Sequence, residues 1–264
     1  MATAVDGALA EAARLEVIGT DAGGLASLPP AAQVRLRDAA LVAAPQRLLA
    51  ELAPWWRAEQ AAGRIPPQCP CPESCASDQP ATLLPRLHQA LADGRPAVLL
   101  ASGDPLWFGI GRLLLQEFPA DRLRFQPAPT SLQQAFARLG RPWQDASWVS
   151  LHGRDPEPLA AALAKRPTAL AVLTDPGRGG AAEVRTVLRA SGLEAAYALW
   201  LAERLGHPAE RLLRLEPADP LPADLDPLHL VLLIAQSPRP PTQRPCPCSA
   251  STMVSGSSTP TTRG

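Results

Sequence analysis

The stretch Val98 to Arg112, Val-Leu-Leu-Ala-Ser-Gly-Asp-Pro-Leu-Trp-Phe-Gly-Ile-Gly-Arg, changes character at Ser102 and constrains the fold more than any other part of the chain. Ala97 to Ala101 is a short apolar run of the kind carried by a strand buried on both faces. Gly103-Asp104-Pro105 then turns the chain, because Gly adopts unusual backbone angles and Pro cannot donate to a ladder. From Phe108 to Phe118 apolar residues recur at helical spacing. The unit therefore reads strand, tight loop, helix. In open α/β sheets, ligands collect in loops of this kind, outside the carboxyl ends of the strands. Asp104 is the one ionisable group in this loop.

The same alternation recurs on both sides. Arg14 to Gly19 reads as a strand running into the Gly-rich turn Thr20-Asp21-Ala22-Gly23-Gly24-Leu25. Its glycines are not spaced Gly-x-Gly-x-x-Gly and no Lys follows, which argues against a nucleotide-phosphate loop. Helices are expected at Pro30 to Ala40, Gln46 to Trp55 and Thr82 to Ala92, with a strand at Leu41 to Ala44. Of the adjacent Trp55 and Trp56, one ring is expected in the core and one half-exposed. Leu123 to Pro127 is a strand and Leu132 to Leu139 a helix, so Thr130 or Ser131 stands where a helix cap belongs, a natural pocket for an anionic or strongly polar group. Trp148 to Arg154, Trp-Val-Ser-Leu-His-Gly-Arg, is a strand ending in a polar turn. A helix at Leu159 to Ala164, a strand at Thr168 to Leu173 and a second acidic turn, Thr174-Asp175-Pro176-Gly177, follow. A helix at Ala182 to Ala190 precedes strands at Tyr197 to Ala202, Arg211 to Leu215 and His229 to Ala235. These last strands lack long intervening helices, which predicts a mixed or antiparallel sheet.

With 264 residues, 46% of them hydrophobic, the chain can build one large core or two ordinary ones. A formal net charge of zero and no basic block give no sign of a nucleic-acid groove or a membrane surface. No apolar run approaches the ~20 residues of a spanning helix, and no secretory signal is present; cytosol is the expected compartment. Cys69, Cys71 and Cys75 lie in a Pro-rich loop, Arg64 to Pro80, and Cys246 and Cys248 in a C-terminal tail. Their spacing is not that of a common zinc site, so no metal is expected. From Ser237 onward Pro, Ser and Thr dominate and periodicity vanishes, as in a disordered tail. No Ser-His-Asp pattern or activated Cys stands out.

Three segments together resemble one family. Ser-Gly-Asp-Pro-Leu-Trp-Phe-Gly-Ile-Gly, from Ser102, is similar to the Gly-Asp-Pro loop of the tetrapyrrole methylases, which methylate porphyrin-like rings with S-adenosylmethionine. Pro129 to Trp143, Pro-Thr-Ser-Leu-Gln-Gln-Ala-Phe-Ala-Arg-Leu-Gly-Arg-Pro-Trp, resembles the family's second signature. Ser-Leu-His-Gly-Arg, from Ser150, resembles the branch that methylates precorrin at C5, called CbiE, which is also the front half of the fused enzyme CobL. Thr20-Asp21-Ala22 departs from the family's usual first loop.

The resemblance implies a two-domain α/β fold: a parallel N-terminal domain over residues 1–127, a mixed-sheet domain over 128–236, a tail over 237–264, and the active cleft between the domains. It implies S-adenosylmethionine against Gly103, Asp104, Trp107, Thr130, Ser131, Leu132, Leu151, Leu173 and Thr174, and substrate contacts from His152 and Arg154. It implies C5 methylation of a precorrin in cobalamin biosynthesis, with the C15-methylating decarboxylase half of CobL missing and a separate CbiT-like protein as partner. The family is often dimeric. Methylation of another tetrapyrrole and a non-catalytic partner of a C15 methylase are the alternatives; a dinucleotide-binding oxidoreductase fits less well, because the Gly spacing is wrong.

Overall fold

The computed structural model describes residues 14–153 and 155–236. In chain order the first half comprises β1 (Leu15–Thr20), α1 (Pro30–Arg37), β2 (Leu41–Ala44), α2 (Gln46–Ala61), β3 (Glu73–Ala76), α3 (Pro80–Ala92), β4 (Ala97–Ser102), α4 (Gly111–Glu117) and β5 (Leu123–Gln126). The second comprises α5 (Ser131–Arg138), β6 (Ser147–Ser150), α6 (Glu157–Ala164), β7 (Ala169–Leu173), α7 (Ala181–Ala190), β8 (Tyr197–Glu203), β9 (Arg211–Leu215) and β10 (His229–Ala235).

The strands form two five-stranded sheets. The first has the order β3-β2-β4-β1-β5 and every pairing in it is parallel. Its central strand is β4, and the apolar run there serves both faces by alternation. Ala97, Leu99 and Ala101 pack with Leu83, Leu87 and Leu114 of α3 and α4. Val98 and Leu100 pack on the other face with Leu36 and Leu48 of α1 and α2. Each fully buried Leu of this layer contributes about 1.5–3 kcal/mol of apolar transfer free energy. The second sheet has the order β6-β7-β10-β8-β9; β6 and β7 are parallel and the remaining pairs antiparallel. Leu170, Val172, Leu201 and Val231 face α6 and α7, while Ala171, Leu230 and Leu232 face Leu132 and Phe136 of α5. The architecture is thus a parallel α/β half followed by a mixed-sheet α/β half.

Helix α1 ends at Arg37 rather than Ala40, and four further elements differ from the sequence-based expectation. The second helix does not stop at Trp55 but continues to Ala61 through Pro54. Burial of Trp56 and Glu59 outweighs the lost hydrogen bond: the Trp56 indole donates to the Cys69 carbonyl, and Glu59 is gripped by Arg37 and Arg64. Trp55 remains half-buried beside it, as expected of the pair. The Cys-Pro loop contains an edge strand, β3, too short and polar for its period to show, with only Cys75 buried. Helix α4 starts at Gly111 rather than Phe108, because the chain first wraps over Pro105: Gly111 donates to its carbonyl at 2.8 Å, and a Cβ on Gly109 would lie 2.5 Å from the same oxygen. Strand β6 ends at Ser150; the Leu151 amide still donates to the Leu173 carbonyl at 2.8 Å, and His152 and Gly153 form the turn. The tail from Ser237 and Arg154 lie outside the described residues.

Candidate active site

From β1 the chain passes to β2 on one side of the first sheet, and from β4 it passes to β5 on the other. The connections therefore leave β1 and β4 in opposite directions, which opens a crevice at their carboxyl ends. The crevice floor is backbone held in close contact. Gly103, at φ +63°, donates to the Thr20 carbonyl at 2.6 Å and accepts from the Ala128 amide at 3.2 Å. A Cβ on Gly19 would sit 1.9 Å from the Gly103 oxygen, so only glycine lets the β1, β4 and β5 exits meet. Asp104 folds back to accept the Leu106 amide at 2.9 Å, an Asx turn that fixes the loop. Thr130 caps α5 in a reciprocal capping box: its hydroxyl accepts from the Gln133 amide at 3.2 Å, and the Gln133 side chain accepts from the Thr130 amide at 2.8 Å.

The second sheet closes the crevice from the opposite side. Thr174, at the end of β7, is buried and donates to the His229 carbonyl at 2.8 Å. Asp175 accepts from the amides of Gly153 and Gly177 at 2.9 and 3.0 Å, and so ties the His152 turn to the second acidic turn. The Gly153 amide is the main reason its carboxyl is held below the usual carboxylate range. Buried Glu203 organises the third turn. Burial pushes its carboxyl up, but its bonds to Arg211 and to the Asp226 amide outweigh that and hold it low. Asp226 in turn accepts from Arg204 Nε at 2.6 Å, and its carbonyl accepts from His229 Nδ1 at 2.6 Å. That contact makes Nδ1 the protonated nitrogen and leaves Nε2 buried without a partner. The two sheets meet below the crevice, where Ala22 donates to the Leu205 carbonyl at 3.2 Å.

The result is a cleft of about 470 Å³, within the range of small-molecule sites. Of the residues singled out from sequence, Gly103, Asp104 and Trp107 line it from the β4 loop, and Thr130 and Ser131 from the start of α5. His152, Leu173 and Thr174 line it from the second sheet. Leu132 and Leu151 do not reach it; they are buried in the apolar layers behind the wall. Arg154 lies outside the described residues. Sequence reasoning missed Arg47, Arg204 and His229, which also line the cleft. Each follows or begins an ordinary strand or helix, and no local motif marks it. Thr20 was read only as part of an atypical loop, yet its hydroxyl is buried on the cleft wall without a hydrogen-bond partner.

Comparison with known proteins decides the family. The model of the Tetrapyrrole (Corrin/Porphyrin) Methylases matches residues 14–219. The chain belongs to that family. A precorrin-6Y C(5,15)-methyltransferase [decarboxylating] of Mycobacterium tuberculosis is 29% identical over 229 residues, covering 81% of this chain and 50% of the relative. A protein of the same name from a Sinorhizobium species is 49% identical over 61 residues, 23% of this chain and 15% of that one. The cobalt-precorrin-7 C(5)-methyltransferase of Salmonella typhimurium is 40% identical over 57 residues, 22% of this chain and 28% of that one. The chain thus spans half or less of the length of these curated relatives. Among solved structures, the methyltransferase CobJ superposes with a TM-score of 0.63 at 22% identity, covering 84% of this chain and 94% of that one. The precorrin-6Y methylase CbiE of Archaeoglobus fulgidus superposes at 0.52 and 19% identity, covering 85% and 99%. Uroporphyrin-III C-methyl transferase from Thermus thermophilus, complexed with S-adenyl homocysteine, gives 0.55 at 22% identity, covering 84% and 97%. These likenesses establish the tetrapyrrole methylase fold. No helix among the described residues is long and apolar enough to cross a membrane.

Proposed function

We propose that the protein is an S-adenosylmethionine-dependent C-methyltransferase acting at C5 of a precorrin in cobalamin biosynthesis. The observation that carries this reading is the meeting of three signature turns, at Asp104, Ser131 and His152, on one cleft between two sheets. The names of the relatives, all precorrin methyltransferases, point the same way. The C15 methylation and the decarboxylation that the longer relatives' names include are assigned to another catalytic unit. The compartment we assign is the cytoplasm.

The cleft suits the cofactor. Its wall carries two buried polar atoms without partners, Thr20 Oγ1 and His229 Nε2, which a polar ligand would satisfy. Apolar Trp107, Leu173 and Leu230 line the same cleft as the acidic Asp104, matching a ligand with an aromatic base and a positive centre. When bound, S-adenosylmethionine supplies an electrophilic methyl group on a sulfonium. Asp104 would hold the donor by hydrogen bonding or favour its positive charge, and Gly103 lets backbone approach it closely. Thr130, Ser131 and Thr174 would orient it, with Leu132 and Leu151 as packing behind. The nucleophile is an electron-rich ring carbon of the substrate, so the chain supplies positioning and exclusion of water rather than a nucleophilic side chain. We assign His152 to substrate contact from its place on the cleft, and Arg154 from the sequence signature alone.

The test is incubation of the purified protein with methyl-labelled S-adenosylmethionine and a panel that includes precorrin-6B and precorrin-7. The expected product carries the label at C5. Label at another carbon would move the protein to another branch of the family. No label in any precorrin, together with no binding of S-adenosylhomocysteine by calorimetry, would make it a non-catalytic partner. Asp104→Ala is expected to weaken S-adenosylhomocysteine binding by about tenfold, the loss of one charge-assisted hydrogen bond.

A further inference from the structure

Two arginines line the cleft from opposite sheets, and each keeps part of its guanidinium outside a short internal bond. Arg47 stands in the first turn of α2, beyond the end of β2. Its contacts are long, 3.5 Å to the Ser102 hydroxyl and 3.8 Å to Glu51, and its side chain is 30% exposed. Arg204 follows β8 in the second sheet and takes φ +49°, a left-handed conformation that is strained for a non-glycine residue. The strain is maintained by its amide, which donates to Leu228 O at 2.8 Å, and by Nε, which is held by Asp226 at 2.6 Å. Its two terminal nitrogens make no hydrogen bond to the described residues. The one other strained non-glycine residue at the cleft is Phe108, at φ +52° and 46% exposed. Its ring stands edge-on to Trp107, with centroids 5.0 Å apart. The Trp107 and Phe108 rings, with a guanidinium contributed by each sheet, fit a flat conjugated ring that carries carboxylates at its rim.

We propose that Arg47 and Arg204 are the specificity residues of the site: each grips a different peripheral carboxylate of the macrocycle, and together they set which ring carbon faces the methyl donor. This rests on the methyltransferase reading above. Each guanidinium would give a charge-assisted, bidentate contact in a partly desolvated cleft.

The experiment compares wild type with Arg47→Gln, Arg204→Gln, the double variant and the two Arg→Lys variants. Each Gln variant is expected to raise KM for precorrin-7 about tenfold, and the pair about a hundredfold, with kcat changed far less. Affinity for S-adenosylhomocysteine should stay within about twofold, which also reports that the variants are folded. The Lys variants should recover part of the loss, because charge returns without the bidentate fork. Unchanged KM would overturn the proposal, and so would parallel losses of S-adenosylhomocysteine affinity, since the arginines would then serve the cofactor. Should the wild type methylate no precorrin, the enzymatic reading fails. The clamp is then read separately by quenching of tryptophan fluorescence with the octacarboxylate uroporphyrin III, where the Gln variants must bind about tenfold more weakly than wild type. Equal binding there would overturn the clamp as well.

Discussion

Glu59 shows how a single buried charge settles a local structure that sequence leaves open. It is 4% exposed on α2, and its carboxyl is held down to about 2 from an ordinary 4.5, first by the hydrogen bond from Arg64 and then by Arg37, against the opposing effect of burial. Because the folded value is depressed, the stabilisation is complete above the ordinary carboxylate value and is lost as pH falls from about 4.5 through 2. Glu59→Gln is expected to lose about 2 kcal/mol at pH 6, measured by urea unfolding, and its curve should converge on that of wild type toward pH 2. Parallel curves across that window would contradict the assignment. The cleft residues divide in the same way. Asp104 and Thr130 could be read from sequence because each sits in a turn or cap whose chemistry is local. Arg204 could not, because its partners, Asp226 and Leu228, stand more than twenty residues away, and the Glu203 carboxylate that holds this turn is just as remote from Asp226; His229 bonds locally to Asp226 but reaches the cleft only because β10 pairs with β7 and β8.

At the scale of elements, α5 is the case where sequence and structure agree most closely. Its cap, its first turn and the apolar Leu132, Ala135 and Phe136 all follow from neighbouring residues. Thr130→Ala should cost about 1 kcal/mol of stability and, because Thr130 also lines the cleft, should weaken S-adenosylhomocysteine binding. Gln133→Ala, which breaks only the reciprocal half of the capping box, should reduce stability alone. Urea unfolding and calorimetry on the two variants separate these effects. Elsewhere local signals misled. Pro54 would end an isolated helix, yet α2 continues because Trp56 and Glu59 find partners beyond it. Strand β3 has no apolar period to reveal it and exists because β2 offers an edge: its four residues pair with Leu41 to Ala44. The start of α4 is delayed by contacts with Pro105 that helical spacing cannot register.

In the whole molecule, the cleft depends on how the two sheets meet. Gly206, at φ +92°, packs against the first loop; a Cβ there would lie 2.5 Å from Asp21 Oδ2, and one on Gly23 would lie 2.9 Å from the Gly206 oxygen. Asp21 is itself locked by the Gly23 amide at 2.9 Å. Gly206→Ala is therefore expected to cost about 1–3 kcal/mol and to weaken S-adenosylhomocysteine binding at least several-fold by shifting one wall against the other. Gly63→Ala, at φ +71° with nothing within 4 Å, is the control: it carries the backbone penalty without touching the junction, and calorimetry should find its ligand binding unchanged. Equal binding by both variants would show that the junction does not shape the cleft. Sequence alone determined the alternation of strand and helix, a mixed or antiparallel second sheet and the turns at Asp104, Ser131 and His152, because apolar periodicity, turn residues and caps act over a few residues; the parallel first sheet was implied by the family resemblance those turns carry. Only the tertiary structure decided the strand order that opens the crevice between β1 and β4, the edge strand in the Cys-Pro loop and the placing of Arg47 and Arg204 on opposite walls. Those depend on contacts between residues far apart in the chain, which no local pattern encodes.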